Sequence, residues 1–300
     1  MKKTILLFVI VLTTINICKA QEWMTSLEVA KSLARIQDKM LFVMWEGSSD
    51  NAYPIFLNDE KGNLLVVDLF KSDDVNRLIW NHFVPVKIHE LMYADLFNQI
   101  KDTRDARYLN KFNDDSIKIM DINGNILNTN TSDVYNYNLN LSLFLKQYSL
   151  NTSFLKQELS NYSKKKNFTN SFRLASKYLD YAIFSEKGIR FEIIELANIY
   201  FDEANLYLTK SNLINKNAFF QKQYLLKIKE HLILNKPKKA LRHLKKLDIA
   251  EIDKVNQSLY SFLNYTAFKL LKDEENAELW KSKVKVVDLK KAELIINNNT

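Results

Sequence analysis

The sequence predicts an α/β domain, residues 21–150, followed by an all-α domain, residues 151–300. Only four of the 300 residues are Gly and three are Pro, which disfavours a turn-rich β-sandwich or β-barrel. In the first segment short apolar runs alternate with helical patterns, whereas the second segment is helical with short breaks. The balance of charge changes at the same point. The first segment holds 13 Lys and Arg against 18 Asp and Glu, and the second holds 27 against 17.

Residues 1–20 have the pattern of a secretory signal peptide. Two lysines precede an apolar run that is shorter than the about 20 residues of a membrane-spanning helix. Small residues stand three and one positions before Gln21, so we predict cleavage before Gln21. A lipoprotein signal that uses Cys18 is the alternative, but it requires a small residue before the cysteine, and Ile17 is large. We therefore expect a secreted protein of the bacterial periplasm, not transmembrane once the signal is removed.

The sequence lacks recognisable catalytic and metal-binding motifs. Cys18 is the only cysteine, so the mature chain excludes disulfides, thiol catalysis and cysteine-based metal sites. The four histidines have no neighbours at metal-site spacing, and there is no P-loop, nucleophile elbow or dinucleotide-binding loop. We predict no catalytic residue, no metal, no cofactor and no bound nucleic acid.

Each element of the first domain has its own pattern. Val29, Leu33 and Ile36 recur at helical spacing and predict the apolar face of an amphipathic helix over residues 25–39. The continuous apolar run Met40–Trp45 is typical of a buried central strand. The patterns that follow predict a hairpin (53–70), a helix capped by Ser72 (72–83), a strand (84–88), a helical stretch (91–112), a hairpin with its turn at Asn123–Gly124 (116–127) and a helix that starts at residue 142.

This order of elements, across residues 21–148, resembles the thioredoxin fold. The segment LFVMW resembles the strand that ends just before the active-site loop of that family, and DDVNRLIWNHFVPVKIHE resembles its next helix and FVxVKxD strand. The segment SIKIMDINGNIL resembles the family stretch PTxxFxDxxGxxL, with Asp121 and Gly124 in place. The resemblance implies a thioredoxin-like α/β/α domain. An unrelated α/β domain with a chance match is the alternative.

Two departures from the family pattern bear on function. The Cys-x-x-Cys of the family falls on residues 46–51, where serines cannot supply a thiolate. Its cis-proline falls on Asp115, and we expect a trans peptide there because a cis bond before any other residue costs about 2.5–4 kcal/mol. The resemblance thus implies a domain that has lost redox activity and retains a peptide-contact surface. The candidate binding residues on that surface are Glu46, Ser48, Ser49, Asp50, Tyr53, Asp114, Asp115 and Ser116.

The second domain is predicted to contain helices at 151–165, 168–185, 187–210, 215–235, 237–247, 253–272 and 274–292. An alanine precedes a bulky residue by one turn at Ala175, Ala204, Ala240 and Ala277, at intervals of 29, 36 and 37 residues. The tetratricopeptide repeat, which these segments resemble, has a period of about 34 residues. Because the full consensus is missing, two interpretations stay open: a tetratricopeptide-like array of helical hairpins, or a generic helical bundle. Proteins of either architecture bind partners more often than they catalyse reactions.

The segment Leu208–Lys246 is strongly basic, with 11 Lys and Arg against one acid, Glu230. We favour a solvated helix face as its explanation. The alternative is an anionic partner, such as lipid headgroups, an acidic cell-wall polymer or the acidic first domain. The candidate residues for that partner are Lys238, Lys239, Arg242, Lys245 and Lys246.

These patterns favour a redox-inactive, non-catalytic protein that binds a protein or peptide of the cell envelope as a scaffold, adaptor or chaperone-like holdase. An enzyme, hydrolytic or other, with a site built from scattered Asp, Glu and His is the first alternative. It requires these side chains to converge in a pocket. Binding to an anionic surface through the basic helices is the second alternative, and it requires affinity that weakens with salt.

Overall fold

The structure, a computed structural model, describes residues 21–128 and 139–299. Within these residues every strand lies in the first half of the chain. The strands are β1 (Met40–Trp45), β2 (Pro54–Asn58), β3 (Leu64–Asp68), β4 (Phe83–Ile88) and β5 (Lys118–Met120). The helices of this half are α1 (Leu27–Gln37), α2 (Asp73–His82), α3 (Glu90–Ile100), α4 (Ala106–Asn113) and α5 (Leu141–Tyr148).

The second half is helical throughout its described residues. Its helices are α6 (Lys156–Lys164), α7 (Phe168–Phe184), α8 (Arg190–Lys210), α9 (Lys216–Ile233), α10 (Pro237–Leu244), α11 (Gln257–Leu270), α12 (Glu274–Lys281) and α13 (Val286–Asn297). The predicted class, α/β followed by α, is therefore confirmed. The predicted signal peptide, including Cys18, lies outside the described residues.

The main sheet has the strand order β4-β1-β5, with β1 at its centre. Strand β1 runs parallel to β4 and antiparallel to β5. Single bridges extend the sheet on both sides, from Met24 to Val86 in the parallel sense and from Met120 to Ile126 in the antiparallel sense. The first five residues of β1 are buried, as expected for a central strand with helices packed on the sheet. Strands β2 and β3 form a separate antiparallel hairpin.

In the second predicted hairpin, residues 116–127, the returning strand forms only one bridge, between Met120 and Ile126. A side chain explains this difference, because the Asn128 amide oxygen accepts the Ile119 N–H at 2.8 Å, where a strand would offer a backbone carbonyl. The turn itself lies at the predicted position. Gly124 has φ +86°, a left-handed conformation that glycine adopts without a Cβ penalty.

The predicted apolar face of α1 is wrong for two of its three residues, while Leu33 is half-buried against the core. Val29 is 51% exposed and Ile36 is 73% exposed, whereas Leu27, Ala30 and Ala34 are buried. Both sets follow helical spacing, so periodicity alone did not distinguish them. The small alanines allow α1 to pack closely on β1 and β4, which favours the Ala30–Ala34 side.

Two predicted helical stretches are each divided into two helices. Residues 91–112 form α3 and α4, because the Asp105 carboxylate accepts the Tyr108 N–H at 2.8 Å and so caps a new helix. Residues 274–292 are divided between α12 and α13. The four alanines of the weak repeat lie in α7, α8, α10 and α12 and have no exposed surface, so each allows close packing of its helix.

A partly buried ion triad joins α7, α9 and α13. Asp180 accepts hydrogen bonds from Lys229 at 2.6 Å and from Lys291 at 2.8 Å. The Lys229 side chain is only 5% exposed, so its charge depends on this carboxylate. Burial alone raises the pKa of Asp180, but the two lysine charges outweigh it and lower the pKa. Burial lowers the pKa of Lys229.

Glu230, on α9, is an acid whose ionisation opposes folding. Burial raises its pKa to about 7, although Lys227 lies 3.5 Å away. Since the ordinary value is 4.5, the folded protein holds this proton more tightly than the unfolded chain does. Stability should therefore fall as the pH rises from 4.5 to about 7.

We expect Glu230→Gln to remove this fall and to stabilise the protein at pH 8 by about 1–3 kcal/mol relative to wild type. Urea unfolding at pH 5 and pH 8 would measure the effect. Glu278→Gln is the matched control, because Glu278 forms an exposed ion pair with Lys281. The same pH dependence in Glu230→Gln and wild type would contradict the assignment.

Candidate functional site

The loop that follows β1 is a single 3₁₀ turn, Glu46–Ser49. The Ser49 hydroxyl donates to the Glu46 carbonyl at 2.7 Å and closes the turn. The Trp45 ring lies over Gly47, and a Cβ at Gly47 would come within 2.8 Å of that ring. Gly47 therefore permits a close approach that a side chain would prevent. Ser48 and Ser49 are half-buried and Asp50 is exposed.

Tyr53 and Asp114 lie near one another, although 60 positions separate them in the sequence. Tyr53 packs edge-to-face on Phe70, with the ring centroids 6.1 Å apart. Burial, and then the negative charge of Asp114, raise the pKa of the Tyr53 phenol. The charge of Asp114, in the segment that precedes β5, therefore acts on Tyr53, in the loop after β1.

Lys118 holds the segment 114–116 in place. Its ammonium group donates to the Asp114 carbonyl and, at 3.2 Å, to the Ser116 carbonyl. The Asp114 carboxylate accepts the Ser116 N–H at 2.7 Å. Burial lowers the pKa of Lys118, against the opposing charges of Asp114 and Asp115. Asp115 itself is exposed, and every peptide bond of the described residues is trans, as expected at this position.

We treat these two segments, residues 46–54 and 114–116, as one candidate surface and call it the Tyr53–Asp114 face. It offers hydroxyls, carboxylates and backbone groups for hydrogen bonds. Within residues 21–128 and 139–299, no hydrogen bond links Ser48 or Ser49 to a histidine. In the same residues no three His, Cys, Asp or Glu side chains are grouped to hold a metal ion. Sequence reasoning missed Lys118, because nothing local distinguishes it from a surface lysine.

A second polar cluster lies where the α/β half meets α7 and α8. Asp121 is fully buried, and one carboxylate oxygen accepts the N–H groups of Asn123 at 2.9 Å and Asn125 at 3.0 Å. The other oxygen accepts the hydroxyls of Tyr178, at 3.1 Å, and Tyr200. The two tyrosine rings stack with centroids 5.6 Å apart. Burial raises the pKa of Asp121, and the hydrogen bonds offset this only in part.

Arg104 extends this cluster along the junction. Its guanidinium donates to Asn125 at 3.0 Å and to Glu203, on α8, at 2.9 Å. The Tyr162 hydroxyl donates to the other Glu203 oxygen. The junction is therefore joined by charge-assisted hydrogen bonds as well as by apolar packing.

Two cavities flank Arg104, with volumes of about 360 Å³ and about 420 Å³. Both lie in the size range of small-ligand sites. Residues lining the first include Lys31, Asn123, Tyr162, Lys166 and Tyr207. Residues lining the second include Asp105, Arg107, Lys111, Glu195 and Asp202. No described histidine lines either cavity, so neither shows the acid–histidine convergence that the enzyme alternative requires.

The predicted basic residues lie together on α10 and just beyond its end. Lys238, Lys239, Arg242, Lys245 and Lys246 are all exposed. In the part of the chain that the structure describes, none of the five forms an ion pair with a carboxylate. The rings of His231 and His243 lie beside them, 5.4 Å apart. Burial, and then nearby positive charges including that of Lys239, lower the pKa of His231 to about 4.

Across the described ranges, no helix combines the length and the apolar character needed to cross a membrane. Comparison of the chain with protein-family models, with curated proteins and with solved structures yields no match.

Proposed function

We propose that residues 21–148 form a thioredoxin-like domain without redox activity, which binds an extended segment of another protein in the cell envelope. The observation that carries the proposal is the Tyr53–Asp114 face, where the charge of Asp114 acts on Tyr53 in the loop after a central strand. The parallel β1–β4 pair and the antiparallel β1–β5 pair support the thioredoxin-like part of it. The absence of cysteine after residue 18 supports a binding role over a redox role.

The chemistry of the face suits a peptide backbone. Asp50 and Asp115 are exposed carboxylates, and an extended segment presents a row of N–H groups that such carboxylates accept. Lys118 holds the Asp114–Ser116 backbone in one conformation, so less conformational entropy is lost on binding. Secretion to the periplasm, after removal of residues 1–20, belongs to the same proposal.

We propose further that the second half is a tetratricopeptide-like array that presents this domain to its partners. Fully buried alanines at near-repeat intervals in α7, α8, α10 and α12 support this assignment. The array would act as a scaffold, and no chemistry is assigned to it.

Capture from a cell-envelope extract tests the binding role. The bait is the chain from Gln21 onward, compared with an Asp50→Ala/Asp115→Ala variant, because both side chains are exposed and their loss spares the packing of Tyr53. We expect one defined protein with wild type, at low and at high salt, and a loss of at least about tenfold with the variant. Glu251→Ala/Glu275→Ala is the control, since it removes two equally exposed acids from the helical half.

The outcome also tests the anionic-partner alternative, which the unpaired basic residues of α10 favour. A captured species that dissociates at high salt and is indifferent to the Asp50/Asp115 changes would contradict our proposal. It would assign the binding surface to α10, and Lys239→Glu/Arg242→Glu should then abolish capture.

A further inference from the structure

The two outer edges of the β2–β3 hairpin differ. The outer edge of β2 makes hydrogen bonds, whereas the outer edge of β3 pairs with no described strand. On the outer side of β2, Phe56 N–H donates to the Leu139 carbonyl at 2.8 Å, and Asn58 N–H donates to Ser142 Oγ at 2.9 Å. Among the described residues, β3 pairs with β2 alone. The outer edge of β3 therefore lacks a strand partner in that part of the chain.

The hydrogen-bond alternation shows which groups point outward from β3. Leu69 N–H donates to the Tyr53 carbonyl, and Asp59 N–H donates to the Asn63 carbonyl. Hydrogen-bonded pairs alternate along an antiparallel ladder. The pair Phe56–Val66 is consequently not hydrogen-bonded, which agrees with the Phe56 N–H pointing to Leu139.

The same alternation holds for the neighbouring pairs of the ladder. The N–H and C=O groups of Leu64 and Val66 therefore point away from β2, toward the open edge. The pair Pro54–Asp68 belongs to the same set without hydrogen bonds, so the Asp68 N–H points the same way, while the Asp68 C=O accepts the Ser72 N–H at 3.3 Å.

The outer edge of β3 is also apolar, and it lacks the residues that commonly prevent strand pairing. Leu64 is 57% exposed, Leu65 is 46% exposed and Val66 is 65% exposed. From Gly62 to Val67 there is no charged residue and no proline, the features that commonly prevent edge strands from pairing. An edge with these properties is a template for another strand.

We propose that β3 pairs antiparallel with β3 of a second copy of this chain, in a register centred on Val66. Val66 then lies opposite Val66 of the second copy, on the two-fold axis, and Leu64 lies opposite Asp68. In this register each outward N–H of these residues faces a C=O of the second copy. The result is a four-stranded sheet in which the Val66 side chains of the two copies are neighbours on one face.

A second copy suits this edge because the strand is complementary to itself. Asp68 is its one charge, and in this register it faces the uncharged Leu64, so no like charges oppose each other within the strand. Pairing also removes apolar surface from water on both copies at once. This dimer is independent of the peptide-binding role proposed for the Tyr53–Asp114 face.

Val66→Pro tests the proposal without breaking the hairpin. Proline lacks an N–H, but the Val66 N–H makes no bond to β2, so the β2–β3 ladder keeps all its hydrogen bonds. Val66→Lys is the second variant, and it places two like charges together on the two-fold axis. The control is Ile214→Lys, which adds the same charge at a site that is 98% exposed and far from β3 in the sequence.

Sedimentation equilibrium of the chain from Gln21 onward provides the measurement. At about 100 µM, well above a micromolar dissociation constant, we expect wild type and Ile214→Lys to be dimers. Val66→Pro and Val66→Lys should weaken the dimer at least about tenfold while keeping the wild-type circular dichroism spectrum. A wild-type monomer, or a dimer that both Val66 variants leave unchanged, would overturn the proposal.

Discussion

Replacement of Asp121 by alanine is expected to lower the free energy of unfolding by about 3–5 kcal/mol, because it leaves four buried donors without an acceptor. The donors are the backbone N–H groups of Asn123 and Asn125 and the hydroxyls of Tyr178 and Tyr200. Water cannot replace the carboxylate easily, since Asp121 has no exposed surface. Chemical denaturation with urea at neutral pH would measure the loss.

Asp121→Asn is the matched control for this effect. The amide oxygen still accepts the two backbone N–H groups, and the tyrosine hydroxyls can rotate to accept from its NH₂ group. We expect a loss of only about 1–2 kcal/mol for this variant. Equal losses for the alanine and asparagine variants would contradict the view that the hydrogen-bond acceptors of Asp121 support the junction.

The same residue predicts a dependence of stability on pH. Its pKa in the folded protein is raised above the ordinary value of 3.8, so the folded state binds the proton more tightly than the unfolded chain. The contribution of Asp121 to stability is therefore greatest below pH 3.8 and decreases as the pH rises through the raised folded value. Asp121→Asn should lack this decrease, and unfolding curves recorded across that window would reveal the difference.

Replacement of Asp180 by alanine is expected to cost about 3–5 kcal/mol at pH 7, because the buried Lys229 ammonium loses its counter-charge. Lys291 would lose the same partner, but its side chain is 32% exposed and can reach water. Lys229→Met should cost less, since Asp180 then keeps its bond to Lys291. The double variant Asp180→Leu/Lys229→Met should be near wild type or more stable, because no buried charge is left unpaired.

The contributions of Asp180 and Asp121 to stability are expected to change with pH in opposite directions. The two lysines lower the pKa of Asp180 below 3.8, so its contribution is present above pH 3.8 and is lost as the pH falls through the lowered folded value. The destabilisation caused by Asp180→Ala should therefore become smaller in strong acid.

Glu278→Ala is the control, because Glu278 belongs to an exposed ion pair, and it should change stability by under about 0.5 kcal/mol. A loss for Asp180→Ala no larger than that of the control would show that the triad contributes little.

Several elements in the first half of the chain were predicted from local sequence patterns. The buried strand Met40–Trp45, the helix that begins after Ser72 and the turn at Gly124 were all predicted, and the structure contains each. These features depend on residues within a few positions of one another: an unbroken apolar run, a capping hydroxyl, a glycine that adopts positive φ. Such interactions are local, and sequence spacing therefore reports them.

The candidate site stays a prediction. The loop after β1 and the segment 114–116 were chosen through the resemblance to the thioredoxin fold, and the lack of cysteine after residue 18 follows from composition alone. The role of Lys118 was not accessible, because its carbonyl contacts depend on how the segment before β5 folds back over it.

Sequence patterns were enough to predict the fold class and most element positions, and the sequence contains no cysteine after residue 18. The tertiary structure alone decided which face of α1 is buried, which acids pair with which partners, and where the two halves meet. Asp121 is the clearest case, since its tyrosine partners lie 57 and 79 positions away. Burial and hydrogen bonding between distant residues depend on the three-dimensional path of the chain, and helical or strand periodicity carries no information about that path.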